Sequence, residues 1–134
     1  MFKLDNVLMH DSFLVQDLAL CQVRLINNAC FPWLILVPRL EQIVEITDLS
    51  HDQYLQVNQE LLIIAKLMQK IFKPDKLNIA TLGNQVKQLH YHIIVRYKHD
   101  GCFPKPVWGE NWVGYAVDDR KSMIEKINNY MDLL

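Results

Sequence analysis

Between Gln88 and Tyr97 the chain reads Gln-Leu-His-Tyr-His-Ile-Ile-Val-Arg-Tyr, and this alternation specifies a strand with two unlike faces. Side chains on a strand point to opposite sides in turn. Leu89, Tyr91, Ile93, Val95 and Tyr97 therefore share one face, and Gln88, His90, His92 and Arg96 the other, with Ile94 between them. The apolar face needs a layer to cover it. The polar face sets two imidazoles, an amide and a guanidinium in one row, with neighbours about 6–7 Å apart by strand rise. A chain holding such a strand must build a sheet around it, which excludes an all-helical fold.

The remaining segments supply that sheet and its cover. Leu18 to Ile26 alternates Cys21, Val23 and Leu25 with Gln22 and Arg24, which predicts a strand with one buried face. Asn27 to Cys30 reads as a turn. Phe31 to Arg39 is apolar on both faces, as a central strand would be, and Pro32 and Pro38 mark its ends because neither donates to a ladder. A long helix is expected from Ser50, which caps it with Gln53 three residues on. Its stripe is Tyr54, Val57, Leu61, Ile64, Met68 and Ile71, and Pro74 stops it. Lys76 to Leu82 reads as a short strand closed by Gly83-Asn84. Lys98 to Tyr115 reads as loop, with a short strand expected at Trp112 to Val117, and a last helix is expected from Asp118 to Leu134. Two strands, a helix, two strands and a helix, joined by short links, predict an α+β domain with an antiparallel sheet.

Composition narrows the class of function. With 134 residues the chain has room for one core, so residues 1–134 are read as a single domain. Hydrophobic residues at 51% and charged residues at 22% exclude a disordered chain, and a net charge of -1 removes any general attraction to nucleic acid or to an anionic membrane. Cys21, Cys30 and Cys102 form no CxxC pair, and an odd count argues against a disulfide framework. The opening Met1-Phe2-Lys3-Leu4-Asp5 has no signal-peptide pattern, and the longest apolar run, Phe31 to Val37, is too short to span a bilayer. A cytoplasmic location is the expectation.

The His90-x-His92 pair supports several chemistries. A polar face can simply meet water. The pair can ligate a metal with help from His99, Cys102 or His10. It can hold a phosphate, or one imidazole can attack phosphorus while the other holds the phosphoryl oxygens. No acidic residue adjoins the pair in sequence, and spacing alone leaves these alternatives open.

Gln88-Leu89-His90-Tyr91-His92-Ile93-Ile94 resembles the histidine triad motif, His-φ-His-φ-His-φ-φ, with Gln in place of the first His. Gly83-Asn84-Gln85-Val86 resembles the Gly-Gln-Ser/Thr-Val stretch that precedes the triad in that family. Trp33 to Arg39 resembles its strand ending Leu-Val-x-Pro-Lys/Arg, Asn27 stands where the family places a strand-end Asn, and Trp108-Gly109 is similar to its Trp-containing tails. The resemblance implies a half-barrel-like antiparallel sheet of about five strands with two helices, paired into a homodimer. It implies hydrolysis or nucleotidyl transfer at the α-phosphate of a nucleotide conjugate, such as diadenosine tetraphosphate or a nucleoside phosphoramidate, through a nucleotidyl-histidine intermediate.

Residue by residue, the resemblance makes His90 the nucleophile, His92 a donor to a phosphoryl oxygen and Gln88 the substitute third member. It places Asn27, Asn84 and Gln85 against substrate, Asn27 on phosphate or ribose and Gln85 near the leaving group. Of the three tryptophans that could stack on a purine, Trp108 is the substrate-binding candidate because its loop is rich in Pro and Gly. No cofactor and no metal are expected, although Mg²⁺ can accompany a polyphosphate substrate. Arg96 reads as a neighbouring surface charge. Three positions depart from the family: Gln88, Gln85 in place of a hydroxyl, and Trp33 where a further His is usual. These departures admit a second reading, a nucleotide-binding regulatory module with weak turnover. A metal-dependent enzyme using His90 and His92 is a third.

Overall fold

The structure, a computed structural model, describes residues Met1–Leu134. Five strands form one antiparallel sheet: β1 (Ser12–Asp17), β2 (Cys21–Ile26), β3 (Trp33–Pro38), β4 (Lys76–Ala80) and β5 (Tyr91–Arg96), in the order β1-β2-β3-β5-β4. Three helices accompany it: α1 (Asn6–Asp11), α2 (His51–Phe72) and α3 (Val117–Met131). None is long and apolar enough to cross a membrane.

The central position expected for the Phe31–Arg39 segment is found. β3 lies between β2 and β5 and all six of its residues are buried. The ends of α2 follow from its sequence. Ser50 Oγ accepts the Gln53 N–H while the Gln53 side chain accepts the Ser50 N–H, and Lys73 closes the helix in a left-handed conformation before Pro74.

Both faces of the sheet are covered. On one, Val23, Leu25, Leu34, Leu36, Tyr91, Ile93 and Val95 pack with Val57, Ile64 and Met68 of α2 and with Ile127 and Met131 of α3. On the other, Trp33, Ile35, Val37 and Ile94 pack with Leu4 and Leu8 from the N-terminal segment and with Cys102 and Val107 from the loop after β5. The polar face of the 88–97 segment is thus no open sheet surface. Residues 1–11 and 98–116 enclose it.

Three features differ from the sequence expectation. The helices number three rather than two. The fifth strand is Ser12–Asp17, while Trp112 to Ala116 has no regular structure and Val117 already begins α3. β1 escaped the alternation test because a register shift between Leu14 and Gln16 breaks its period, leaving only Ser12 and Val15 buried. α1 has only six residues, too few to show a helical stripe.

Arg96 is the third correction. Its side chain is 1% exposed and pairs with Asp100, Nε to Oδ2 at 2.7 Å. Nη1 donates to Asn78 Oδ1 at 2.9 Å, and Nη2 lies 3.3 Å from Cys102 Sγ. Asp100 also accepts the backbone N–H groups of Tyr97, Cys102 and Phe103. A buried guanidinium thereby fastens the loop after β5 to the sheet, and that loop carries Trp108. Asp100→Ala would leave a buried cation without its partner, so a loss of about 3–5 kcal/mol is expected in chemical denaturation. A loss within the range of ordinary surface substitutions would mean that the pair does not hold the loop.

Candidate active site

The site is assembled where β5 begins. Register places Trp33 opposite Ile94 and Ile35 opposite His92. Trp33 and His92 are therefore diagonal neighbours on one face, within reach of an aromatic side chain. The indole Nε1–H donates to His92 Nδ1 at 3.0 Å. Indole only donates, so Nδ1 is the acceptor and the proton sits on Nε2, which donates to the Leu82 carbonyl at 2.9 Å. Burial, and then the neighbouring His90, push the His92 pKa down to about 4.

His90 has the opposite tautomer. Its Nδ1 lies 2.7 Å from the Gln88 carbonyl, which only accepts, so Nδ1 carries the proton. Nε2 is left as a lone pair with no hydrogen-bond partner in the protein. Burial lowers its pKa from 6.5, opposed by the bond to Gln88 and by the charge of Asp5. Near neutral pH His90 is an uncharged base with one free nitrogen. The two rings lie 4.7 Å apart, edge to face.

His90 and His92 line a cleft of about 440 Å³ with Asn84, Gln85, Trp33, Trp108 and Trp112. Trp108 and Trp112 each lie 5.8 Å from the Trp33 ring. Val7, Leu8 and Asp11 contribute the part of the wall that comes from the N-terminal segment. The lining contains no Lys or Arg, and Asp11 is its one carboxylate. His90, Gly83 and Asn84 also border a second cleft of about 420 Å³, lined by Glu45, Lys87 and Gln88 among others. Gly83 is required where it stands. A Cβ there would lie 2.6 Å from the Val86 carbonyl oxygen and 3.3 Å from His90 Cε1.

Of the residues singled out from the sequence, His90, His92, Asn84, Gln85 and Trp108 meet in the first cleft, while Asn27 and Gln88 lie outside its lining. Asn27 Oδ1 accepts the Tyr115 N–H at 2.8 Å, holding the segment that leads into α3. The Gln88 carboxamide is engaged with the backbone of Lys3 and Asp5. The N-terminal wall had no recognisable signal in the sequence. The metal candidates do not converge. His99 stacks on Tyr97, Cys102 sits with Arg96 and Asp100, and His10 contacts Asp11. No group of three or more His, Cys, Asp or Glu side chains is placed to hold a metal ion.

A profile described as the HIT domain matches residues 8–99. Among solved structures, a histidine triad protein from Marinobacter aquaeolei is 38% identical, with a TM-score of 0.95, over 100% of this chain and 98% of that one. One from Bradyrhizobium japonicum is 38% identical, TM-score 0.93, covering 96% and 97% of the two chains. One from Sinorhizobium meliloti is 35% identical, TM-score 0.93, covering 96% of each. No curated protein matches the chain.

The tautomer of His92 yields a pH-dependent expectation. The unfolded chain binds a proton at this histidine below about 6.5, whereas the folded chain binds one only near 4. Its contribution to stability is therefore full above 6.5 and is lost as the pH falls through 4. Trp33→Phe removes the donor that occupies the Nδ1 lone pair. In an NMR titration of this variant the His92 pKa should rise above about 4 through loss of a bond made to the neutral ring, while burial and His90 still hold it below 6.5. An unchanged pKa would show that the indole does not set the protonation state.

Proposed function

The chain belongs to the histidine triad family, and on that footing we propose that it is a nucleotide hydrolase or nucleotidyltransferase acting at the α-phosphate of a nucleotide conjugate through His90. The observation that carries this reading is the Nδ1–H bond from His90 to the Gln88 carbonyl, which leaves Nε2 unpaired at the cleft. Nε2 gives its lone pair to the α-phosphorus, a P–N bond forms, and the leaving group departs with the electrons of its former bond to phosphorus, an amine taking up a proton from solvent water as it leaves. The ring then carries a positive charge, which the Nδ1–H bond to the carbonyl stabilises. Water next attacks the phosphorus, giving its proton to solvent, and the P–N electrons return to Nε2. A nucleoside monophosphate is released. In the transferase case an acceptor hydroxyl or amine replaces water.

The other residues take supporting roles in this reading. Asn84 and Gln85 border the phosphate, and Trp108 with Trp112 offers aromatic faces to the base. Asn27 and Gln88 act by holding the segments that frame the cleft. His92 anchors the Gly83–Val86 loop through the Leu82 carbonyl, and it can donate to a phosphoryl oxygen only by releasing that carbonyl. The lining, with Asp11 and without Lys or Arg, suits a leaving group that departs as an amine better than a polyphosphate tail, which would have to bring Mg²⁺ with it. No cofactor enters the scheme. The free thiols of Cys21, Cys30 and Cys102 suit a reducing, cytoplasmic setting.

A homodimer belongs to the same proposal. β4 is an edge strand, and beside it Leu55, Leu62 and Ile63 of α2 and Ile79 of β4 are exposed. Leu62, Leu77 and Ile79 line one groove between helix and strand, where a second copy would bury them. Leu62→Glu should convert a dimer to a monomer in sedimentation equilibrium. A wild-type monomer at high concentration would overturn this part of the proposal.

The function is tested by mass spectrometry after brief mixing with diadenosine tetraphosphate and, separately, with an adenosine phosphoramidate. A nucleotidyl adduct or a monophosphate product is expected with wild type, the phosphoramidate reacting faster. Both should be lost in His90→Ala, with circular dichroism unchanged. The committed nitrogens of His92 favour one alternative, a nucleotide-binding module with little turnover. Binding without adduct or product would establish that alternative in place of the enzyme.

A further inference from the structure

Gln88 replaces a triad histidine, and its carboxamide forms a two-point clasp on the N-terminal segment. Oε1 accepts the Asp5 N–H at 2.8 Å and Nε2 donates to the Lys3 carbonyl at 2.9 Å. These backbone groups flank Leu4, so the carboxamide pairs with an extended residue much as a peptide group of a neighbouring strand would. An amide suits this because its donor and acceptor sit side by side on one carbon. The two nitrogens of an imidazole point apart and cannot serve the groups on either side of one residue. Leu4, between the two bonds, is buried in the smaller core.

The clasped segment is the wall of the cleft. From Leu4 the chain enters α1, where the Asp5 carboxylate caps the Val7 N–H at 2.8 Å. Val7, Leu8 and Asp11 then line the same cleft as His90 and His92. The far end of the segment is tied to the sheet. The Asp11 carbonyl accepts the Asn27 N–H, and Ser12 is bonded by the Arg24 guanidinium. Besides the burial of Leu4 and Leu8 in the smaller core and an ion pair from the Met1 amino group to Glu41, the strap is hydrogen-bonded to β1 at one end and to Gln88 near the other. Gln88 also orients the nucleophile, because its own carbonyl holds His90 Nδ1. One residue thus sets the direction of the reacting nitrogen with its backbone and the position of the N-terminal wall with its side chain.

We infer that Gln88 is a positioning residue that latches residues 3–11 as the substrate-enclosing wall, and that it takes no part in proton transfer. The kinetic half of the test rests on the function proposed above, and the exchange half does not. In Gln88→Ala and in Gln88→His the backbone carbonyl remains while the clasp is lost. Hydrogen exchange should quicken at residues 3–11 and stay unchanged in β2, β3 and α2. KM for the adenosine phosphoramidate, and Kd for AMP, should rise about tenfold. The kcat value should stay within about threefold of wild type, with the His90 adduct still forming.

Unchanged exchange at residues 3–11 in both variants would overturn the latch. Faster exchange with unchanged KM and Kd would overturn the wall. A fall in kcat at constant KM, restored in Gln88→His, would make position 88 a participant in the chemistry and overturn the inference. A wild-type protein that binds no nucleotide would defeat the proposed function, and the exchange comparison would still decide the latch.

Discussion

The pairing of β3 with β5 in one register is the constraint on which the site depends. Ile35 opposite His92 and Trp33 opposite Ile94 place the histidine face of β5 against the smaller core and the Tyr91, Ile93, Val95 face against α2. Side chains alternate with a period of two, so a slip of one residue would drive both imidazoles under the helix and turn three large apolar groups into the cleft. The burial of Leu34, Leu36, Ile93 and Val95 on one side therefore fixes the placement of the two imidazoles on the other. No histidine contact needs to specify the register, because the apolar residues already do.

A covered polar face has a consequence for protonation. His90 is 4% exposed and His92 is 5% exposed, so neither imidazole gains much from bulk water as a cation. Desolvation favours both neutral forms, and hydrogen bonds then choose the tautomers. A donor-only indole selects Nε2–H at His92, and an acceptor-only carbonyl selects Nδ1–H at His90. Two adjacent histidines of the same type become chemically unlike through partners that each have a single hydrogen-bonding character. One ring is fully engaged, and the other keeps a free lone pair.

Much of this was legible in the sequence because it rests on short-range patterns. The alternation from Leu89 to Tyr97 identified both faces of β5, the prolines bounded β3, and the Ser50–Gln53 box located the start of α2. The ordered segments around His90 carried the family. What stayed hidden depends on contacts between distant parts of the chain. Arg96 read as a surface charge because its partners Asp100, Asn78 and Cys102 meet only after the loop folds back. β1 was obscured by its bulge and α1 by its length, and the N-terminal wall of the cleft went with them. Gln88 and Asn27 were recognised as notable positions, but their carboxamides bind backbone groups more than eighty residues away in sequence.

Two of the three departures from the triad pattern act in one direction. Trp33 and Gln88 each place a group that takes up no proton where an imidazole is usual, while Gln85 exchanges one neutral group for another. Every additional imidazole near His90 would offer a site for a proton, and a cation about 4–5 Å away would oppose the positive charge that the proposed attack places on His90. With an indole and a carboxamide in those positions, His90 is the single ring at the cleft with an uncommitted nitrogen. In the proposed attack the positive charge on that ring would meet the Gln88 carbonyl dipole at Nδ1. The segment bearing Asp5 is the one that Gln88 holds. The carboxamide at position 88 thus fastens the N-terminal wall, which links the variant motif to that wall by hydrogen bonding and packing.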